Sequence, residues 1–354
     1  MPENAYIHIP FCRSKCRYCS FVSSVDLSLK KDYLKALKKE IKFYYKGEPL
    51  QTLYFGGGTP SVSDAGEIEE LISLFNINSG TEITVEMNPE SFKNIRGANR
   101  ISFGCQTFDD NILQILGRRH SANDVKNSVK AAQDCGFDNI SLDFIYGLPS
   151  QTVQGFEKDL EKAVSLGVRH ISLYGLKIEQ NCYFHLHPPK NLPDEDIQAD
   201  MYLKAIEVLT SDRFKQYEIS NFAHSGFESA HNLNCWNNGK YYGFGAAAHG
   251  YKDNIRYSNT SDINEYIKEP VKHSGETVLT AQEQLEEEIF LGLRKTDGIN
   301  IQSINKKFGI NFERKYSGIL SKYSEYIVPT AHGYRLTING VLVSSAILSE
   351  FISV

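Results

Sequence analysis

A surplus of positive charge is the first thing this sequence lacks. Lys and Arg number 38 against 43 Asp and Glu, for a net charge of −5. That balance argues against a general binder of nucleic acid or of anionic membranes. The Lys-rich stretch 30–46 is a local exception, but its apolar spacing (Leu34, Leu37, Ile41) marks an amphipathic helix with a solvated basic face. No uncharged apolar run reaches the roughly 18 residues that a membrane helix needs. The opening MPENAYIHIP has no charged lead followed by an apolar stretch, so it does not read as a secretory leader and a cytoplasmic location is expected. An even set of cysteines is missing too. There are 7, and three of them crowd into positions 12–19. In a chain that is not secreted, this pattern points to metal or redox chemistry rather than disulfides.

What is present is a chain of 354 residues, 41% hydrophobic and 23% charged, enough for one large α/β domain and a smaller one. Strand-like runs (5–9, 52–55, 82–87, 100–105, 139–147 and 170–176) alternate with helical patterns near 27–46, 63–75, 109–117, 122–135 and 152–166. Such alternation predicts a parallel sheet with helical crossovers, either open or closed into a partial barrel. In both cases ligands bind at the carboxyl ends of the strands. The link from Asn88 to Arg100 is short for a crossover helix, so one repeat is trimmed. We divide the chain into a core at 1–215, an Asn-, Gly- and aromatic-rich extension at 216–275, and a small, mainly helical, winged-helix-like domain at 276–354.

Cys12, Cys16 and Cys19 are spaced C-x3-C-x2-C on the loop after the first strand. Three thiolates can hold three irons of a [4Fe–4S] cluster. The fourth iron then remains open to the amino and carboxylate groups of S-adenosylmethionine (SAM). Electron transfer into its sulfonium releases methionine and a 5′-deoxyadenosyl radical, chemistry that belongs to the cofactor. The competing reading is structural zinc, which wants four closed ligands where the loop offers three, with His8 on the preceding strand. Arg13, Lys15 and Arg17 either offset cluster charge or form a solvated loop face. Cys105, Cys135 and Cys182 read as buried small hydrophobes.

The string YIHIPFCRSKCRYCSF resembles the HemN/HemW branch of the radical SAM superfamily. The likeness continues through LYFGGGTPS, VEMNPES, RISFGCQTFDD, LGRRH, LDFIYGLPSQT, YEISNFA, GFGAAAHG and LGLRKTDGI, over nearly the whole chain. It implies a partial (βα)6 TIM-type barrel with a small helical C-terminal domain. It also implies a SAM site. Gly57, Gly58 and Thr59 would meet the amino end, Glu86 the ribose, and Arg118 the carboxylate, a natural bidentate partner for guanidinium. Tyr6, Tyr18, Gln106 and Asp143 would complete the site. The G-x-G-x-x-A at Gly243, Gly245 and Ala248 lacks a surrounding βαβ unit and is set aside as a dinucleotide site. His185 and His187 sit by Pro188 and Pro189 and read as a surface loop.

Two activities share this scaffold in the branch. One is oxygen-independent dehydrogenation of coproporphyrinogen III by hydrogen abstraction. The other is haem chaperoning, in which haem is cargo for acceptor haemoproteins, membrane respiratory proteins among them. The dehydrogenase carries a fourth cysteine where this chain has Phe21, which favours the chaperone. HNLNCW (231–236) resembles the chaperone's H-N-x-x-Y-W haem motif, with Cys235 in place of Tyr. His and Cys are both known haem ligands. The resemblance therefore assigns haem to His231 or Cys235, with Trp236 against the macrocycle or in a core, and His249 as a weaker candidate. A cluster-linked homodimer is a further expectation; nucleic acid is not.

Overall fold

The computed structural model describes residues 1–352. Six parallel strands form its centre: β1 (Asn4–Ile9), β2 (Thr52–Gly57), β3 (Glu82–Met87), β4 (Arg100–Gln106), β5 (Asn139–Tyr146) and β6 (His170–Gly175). They lie side by side in chain order, and the register sets Tyr6 opposite Tyr54, Glu86 opposite Ser102 and Asp143 opposite Ser172. The crossovers are α1 (Lys30–Tyr44), α2 (Ala65–Ile72), α3 (Asp110–Leu116), α4 (Ala122–Asp134) and α5 (Val153–Ser165). Capping boxes at Asp64/Glu67 and Ser121/Asp124 start α2 and α4 by satisfying free backbone N–H groups. Between β3 and β4 there is only the single 3-10 turn Pro89–Ser91. The trimmed repeat expected from the short link is therefore observed.

Strand alternation decides what faces where. In β5, Ile140, Leu142 and Phe144 are buried in the main core beneath the helices, whereas Asp143 lines the lumen. In α1, Leu34, Leu37 and Ile41 are buried and Lys31, Lys35, Lys39 and Lys42 are exposed, while the half-buried Lys30 and Lys38 pair with Glu67 and Glu70.

After the short α6 (Tyr183–Leu186), α7 (Glu195–Ser211) leads to β7 (Lys215–Glu218) and β8 (Asn221–Ala223), which extend the sheet antiparallel beside β6. A short α8 (Ala230–Trp236) follows. Then β9 (Tyr242–Phe244) joins the other edge, parallel to β1. The full order is β7-β8-β6-β5-β4-β3-β2-β1-β9, so β7 and β9 are the two edges and the barrel is partial. A second sheet holds β10 (His249–Lys252), β11 (Ile255–Asn259) and β12 (His273–Val278), with α9 (Ile263–Lys268) between the last two. The C-terminal region runs α10 (Ala281–Gly292), β13 (Ile299–Asn300), α11 (Ile301–Phe308), further short helices, β14 (Ile327–Pro329) and β15 (Gly333–Leu336). It packs a core of its own around Leu285, Ile289, Phe312 and Ile347. Among the described residues, no helix is long and apolar enough to cross a membrane.

Candidate functional site

The carboxyl ends of the parallel strands open into a cavity of about 500 Å³. All three loop cysteines line it, as do eight of the nine residues assigned to SAM: Tyr18, Gly57, Gly58, Thr59, Glu86, Gln106, Arg118 and Asp143. The ninth, Tyr6, lies on β1, its ring stacked on the cavity residue Tyr54 with centroids 6.1 Å apart.

The cysteine loop is held from two sides. The Thr59 N–H donates to the Phe11 carbonyl at 2.8 Å and the Gly58 N–H to the Ile9 carbonyl at 2.9 Å, tying the glycine segment to the loop entry. A side chain at Gly58 would put its Cβ 2.7 Å from the Phe11 nitrogen, so glycine there serves the approach of the cysteine loop. The Arg17 N–H donates to the Leu116 carbonyl at 2.9 Å, and its guanidinium to the Ile115 carbonyl at 3.1 Å, at the C-terminus of α3 where carbonyls lack partners. Arg13, Lys15 and Arg17 are exposed, and the Lys15 ammonium donates to the Phe21 carbonyl.

His8 is not available to the thiols. Its Nε2 bonds the Val22 carbonyl at 3.0 Å, so that nitrogen carries the proton, and its Nδ1 accepts from the Tyr6 hydroxyl at 3.1 Å. Both ring nitrogens hold the barrel and the loop return together. Among the described residues, no three His, Cys, Asp or Glu side chains converge on one point, as a single zinc ion requires. Three unpaired, half-buried thiols around one cavity instead suit a cluster that takes one ligand per iron.

Arg118 follows the left-handed cap Gly117 of α3 and reaches into the cavity. Its guanidinium donates to Cys16 Sγ at 3.3 Å, and to Asn88 Oδ1 and the Gly104 carbonyl at 2.8 Å each. Burial opposes its charge, but Tyr18 and Cys16 beside it more than offset that, so it stays protonated. Its Nε meets Nδ1 of His120, whose Nε2 donates to the Cys105 carbonyl. Burial and the neighbouring Arg118 push His120 down to about 3 and keep it neutral.

On the strands, Asp143 accepts from the Ser102 hydroxyl, 2.9 Å from each carboxylate oxygen. Burial raises its pKa, against the pull of Ser172 and Ser102. Glu86 accepts from the Tyr54 hydroxyl at 2.8 Å and is pushed up to about 7, chiefly by burial and then by Asp143. Gln106 has φ 69°, at the point where the β4–β5 register shifts. A bulge of this kind re-aims a side chain at a strand end.

The other assigned residues lie elsewhere. α8 packs beside β2, where His231 bonds Thr52 at the amino end of that strand. Of α8, the residue that lines the cavity is Asn232. His231 is 6% exposed, Cys235 is half-buried with its thiol pushed up to about 11 by burial, and Trp236 lies under the Arg294 guanidinium, 4.5 Å from the ring centroid. Ser229 caps α8 by accepting from the Asn232 N–H, and Glu82 accepts from the Ala230 and His231 N–H groups. His249 is exposed on β10. At Gly243, an added Cβ would lie 1.8 Å from the His249 carbonyl oxygen, so this glycine serves the β9–β10 contact.

Sequence reasoning missed Tyr54, Arg100, Ser102 and Ser172, all cavity residues. Their signal was a polar residue at alternate positions of otherwise apolar strands, the mark of a lumen face.

A family model for the radical SAM superfamily matches residues 6–163, and one for the HemN C-terminal domain matches residues 279–343. The heme chaperone HemW of Lactococcus lactis is 39% identical over 332 residues, covering 89% of this chain and 87% of that one. The chain belongs to the HemW family. The heme chaperone HemW of Bacillus subtilis is 36% identical, with 99% of each chain covered. The structure of coproporphyrinogen III oxidase (HemN) from Escherichia coli, a radical SAM enzyme, matches with a TM-score of 0.87 at 21% identity, over 99% of this chain and 90% of that one. That likeness shows a shared fold. HemW membership and this fold agree with the branch that the cysteine string and strand pattern pointed to.

Proposed function

We propose that this chain is a haem chaperone. It holds a [4Fe–4S] cluster through Cys12, Cys16 and Cys19, and SAM through Tyr6, Tyr18, Gly57, Gly58, Thr59, Glu86, Gln106, Arg118 and Asp143. It carries haem as cargo through α8, where His231, Cys235 and Trp236 are the assigned contacts. Its acceptors are haemoproteins, those of membrane respiratory chains included, which a cytoplasmic protein reaches at the membrane surface. A homodimer is part of the same proposal.

The observation that carries this reading is the convergence of three free thiols and eight SAM-assigned residues on one cavity, in a chain most of whose length aligns with proteins named heme chaperones. When bound, the cluster supplies one-electron chemistry and SAM the sulfonium that accepts it. The chain's own residues hold and orient. Arg118 stands beside Cys16 as a fixed cation, suited to a carboxylate. Glu86 and Asp143 offer acceptors to ribose hydroxyls across the lumen. Phe21 is 67% exposed at the cavity rim, where the dehydrogenase pattern has a fourth cysteine.

The test is a haem titration of cluster-loaded protein, followed by the Soret band. Saturable binding is expected, weakened at least tenfold in the His231→Ala/Cys235→Ala double variant. Binding that ignores the double substitution removes the ligand assignment. An anaerobic, reducing assay with coproporphyrinogen III should show no turnover, and robust turnover would replace the chaperone reading with the dehydrogenase one.

A further inference from the structure

His231 lies beneath the cavity, at the amino end of β2, and is built in more firmly than a surface ligand would be. The Thr52 hydroxyl donates to Asn4 Oδ1 at 2.9 Å, so its oxygen is left to accept at 2.8 Å from His231 Nδ1. The proton therefore sits on Nδ1 and the ring is neutral. Burial and the nearby Arg100 cation both favour that state and push the group down to about 4. The ring lies against Tyr54, centroids 5.0 Å apart and planes 30° apart. It also stands 6.5 Å from Tyr6. Tyr54 in turn delivers its hydroxyl to Glu86 Oε1 at 2.8 Å. Glu82 fixes the other side of the arrangement by anchoring the His231 N–H at 3.1 Å. The result is a chain of contacts, Asn4–Thr52–His231–Tyr54–Glu86, running from α8 into the lumen.

We propose that His231 is a positioning residue of the SAM cavity: its ring holds Tyr54, and Tyr54 holds Glu86 in place for the ribose. This rests on the SAM reading above and adds a residue to that site from the segment assigned to haem. A tyrosine ring with no neighbour on this face can rotate about its side-chain torsions, and the hydroxyl then leaves the carboxylate. A stacked, hydrogen-bonded imidazole removes that freedom at the cost of one rigid residue.

The experiment measures SAM dissociation constants by calorimetry on the full, cluster-loaded chain. His231→Ala should weaken SAM about tenfold, the scale of one hydrogen bond to a charged group. Tyr54→Phe should do the same. The double variant should bind no more weakly than Tyr54→Phe alone, because both changes remove one contact. His231→Phe keeps a ring against Tyr54 and should recover affinity to within about threefold of the parent. Additive losses in the double variant, or no recovery with Phe, overturn the proposal. If His231→Ala does not fold, Thr52→Val frees the imidazole instead and should weaken SAM in the same direction. The variants are also titrated with haem. Lost haem binding with unchanged SAM affinity makes His231 a cargo ligand and overturns the positioning role. A parent chain that binds no SAM fails the functional reading itself, before any variant is compared.

Discussion

Glu86 in the barrel lumen and Glu40 on α1 are both pushed up to about 7, each chiefly by burial, yet their surroundings differ. Glu40 is 0% exposed and enclosed by donors. Its Oε2 accepts from the Gly245 N–H at 2.8 Å and from the Tyr266 hydroxyl, and its Oε1 accepts from Asn259 Nδ2 at 2.6 Å. These bonds stitch α1 to the turn after β9, to β11 and to α9. Glu86 takes a side-chain bond from Tyr54 and a backbone bond from Gly57, and it lines the cavity. A buried carboxylate supplied with partners by its own chain is part of the framework. One with acceptor capacity left over is placed for a ligand. The two sites have the same chemistry and differ in who completes the hydrogen bonding.

The sharpest way to break this comparison is to remove Glu40. Glu40→Ala strands a backbone N–H, a hydroxyl and an amide in a dry seam, each costing roughly 1–3 kcal/mol. We expect a loss of about 3–5 kcal/mol in equilibrium urea unfolding. A loss below about 1 kcal/mol would mean that the seam is wetter than its burial indicates.

The next effect is a pH dependence. Glu40 is raised from an ordinary value of 4.5 to about 7 in the folded chain. The folded state therefore binds its proton more tightly than the unfolded state does. The stability this gives is fully present below about pH 4.5 and is lost as pH rises through about 7, with an upper bound of roughly 3 kcal/mol. In Glu40→Gln this part of the slope should vanish. Unfolding curves of parent and variant at pH 5 and pH 8 measure it, and parallel pH profiles would contradict it.

Glu86→Gln probes the other side of the comparison. Near pH 4, where the Glu86 carboxyl is mostly protonated folded or unfolded, stability should move by less than about 1 kcal/mol, because the side chain already lines the cavity. SAM affinity should fall about tenfold, near 1.4 kcal/mol, as the charged acceptor is lost. Calorimetric titration reads the second, thermal unfolding the first. A large stability loss with unchanged affinity would place Glu86 with Glu40 as framework.

The two sites were not equally legible in the sequence. The six central strands and their helices could be read because strand–helix alternation is a local signal, and Ile140, Leu142 and Phe144 at alternate positions mark the outer face of β5. The cysteine spacing is local as well. β9 is three residues among glycines, too short for a period to show, and it joins β1 across more than 230 residues of chain. Glu40 looked like one more polar residue of an amphipathic helix, because Gly245, Asn259 and Tyr266 are distant in sequence. The lumen partners of Glu86 and Asp143 were visible as residue types, but their pairing was not. HNLNCW stood out as a motif. That its histidine would lie between Thr52 and Tyr54 depended on where β2 begins and α8 docks, which no local pattern encodes.

The smallest effect expected is at the cavity rim. Phe21 is 67% exposed, so Phe21→Cys gives up little packing, and stability should change by less than about 0.5 kcal/mol. The substitution restores the fourth cysteine of the dehydrogenase pattern. Three thiols already suffice for a cluster with one iron left open, so iron content and SAM affinity should stay at the parent level. Coproporphyrinogen III should still not be consumed, because a rim thiol adds no contact to the lumen where Glu86, Asp143 and Arg118 stand. Iron and sulfide analysis, SAM calorimetry and the anaerobic assay measure these three outcomes. Turnover gained from this one residue would show that the cysteine count, and not the lumen, separates the two activities of the branch.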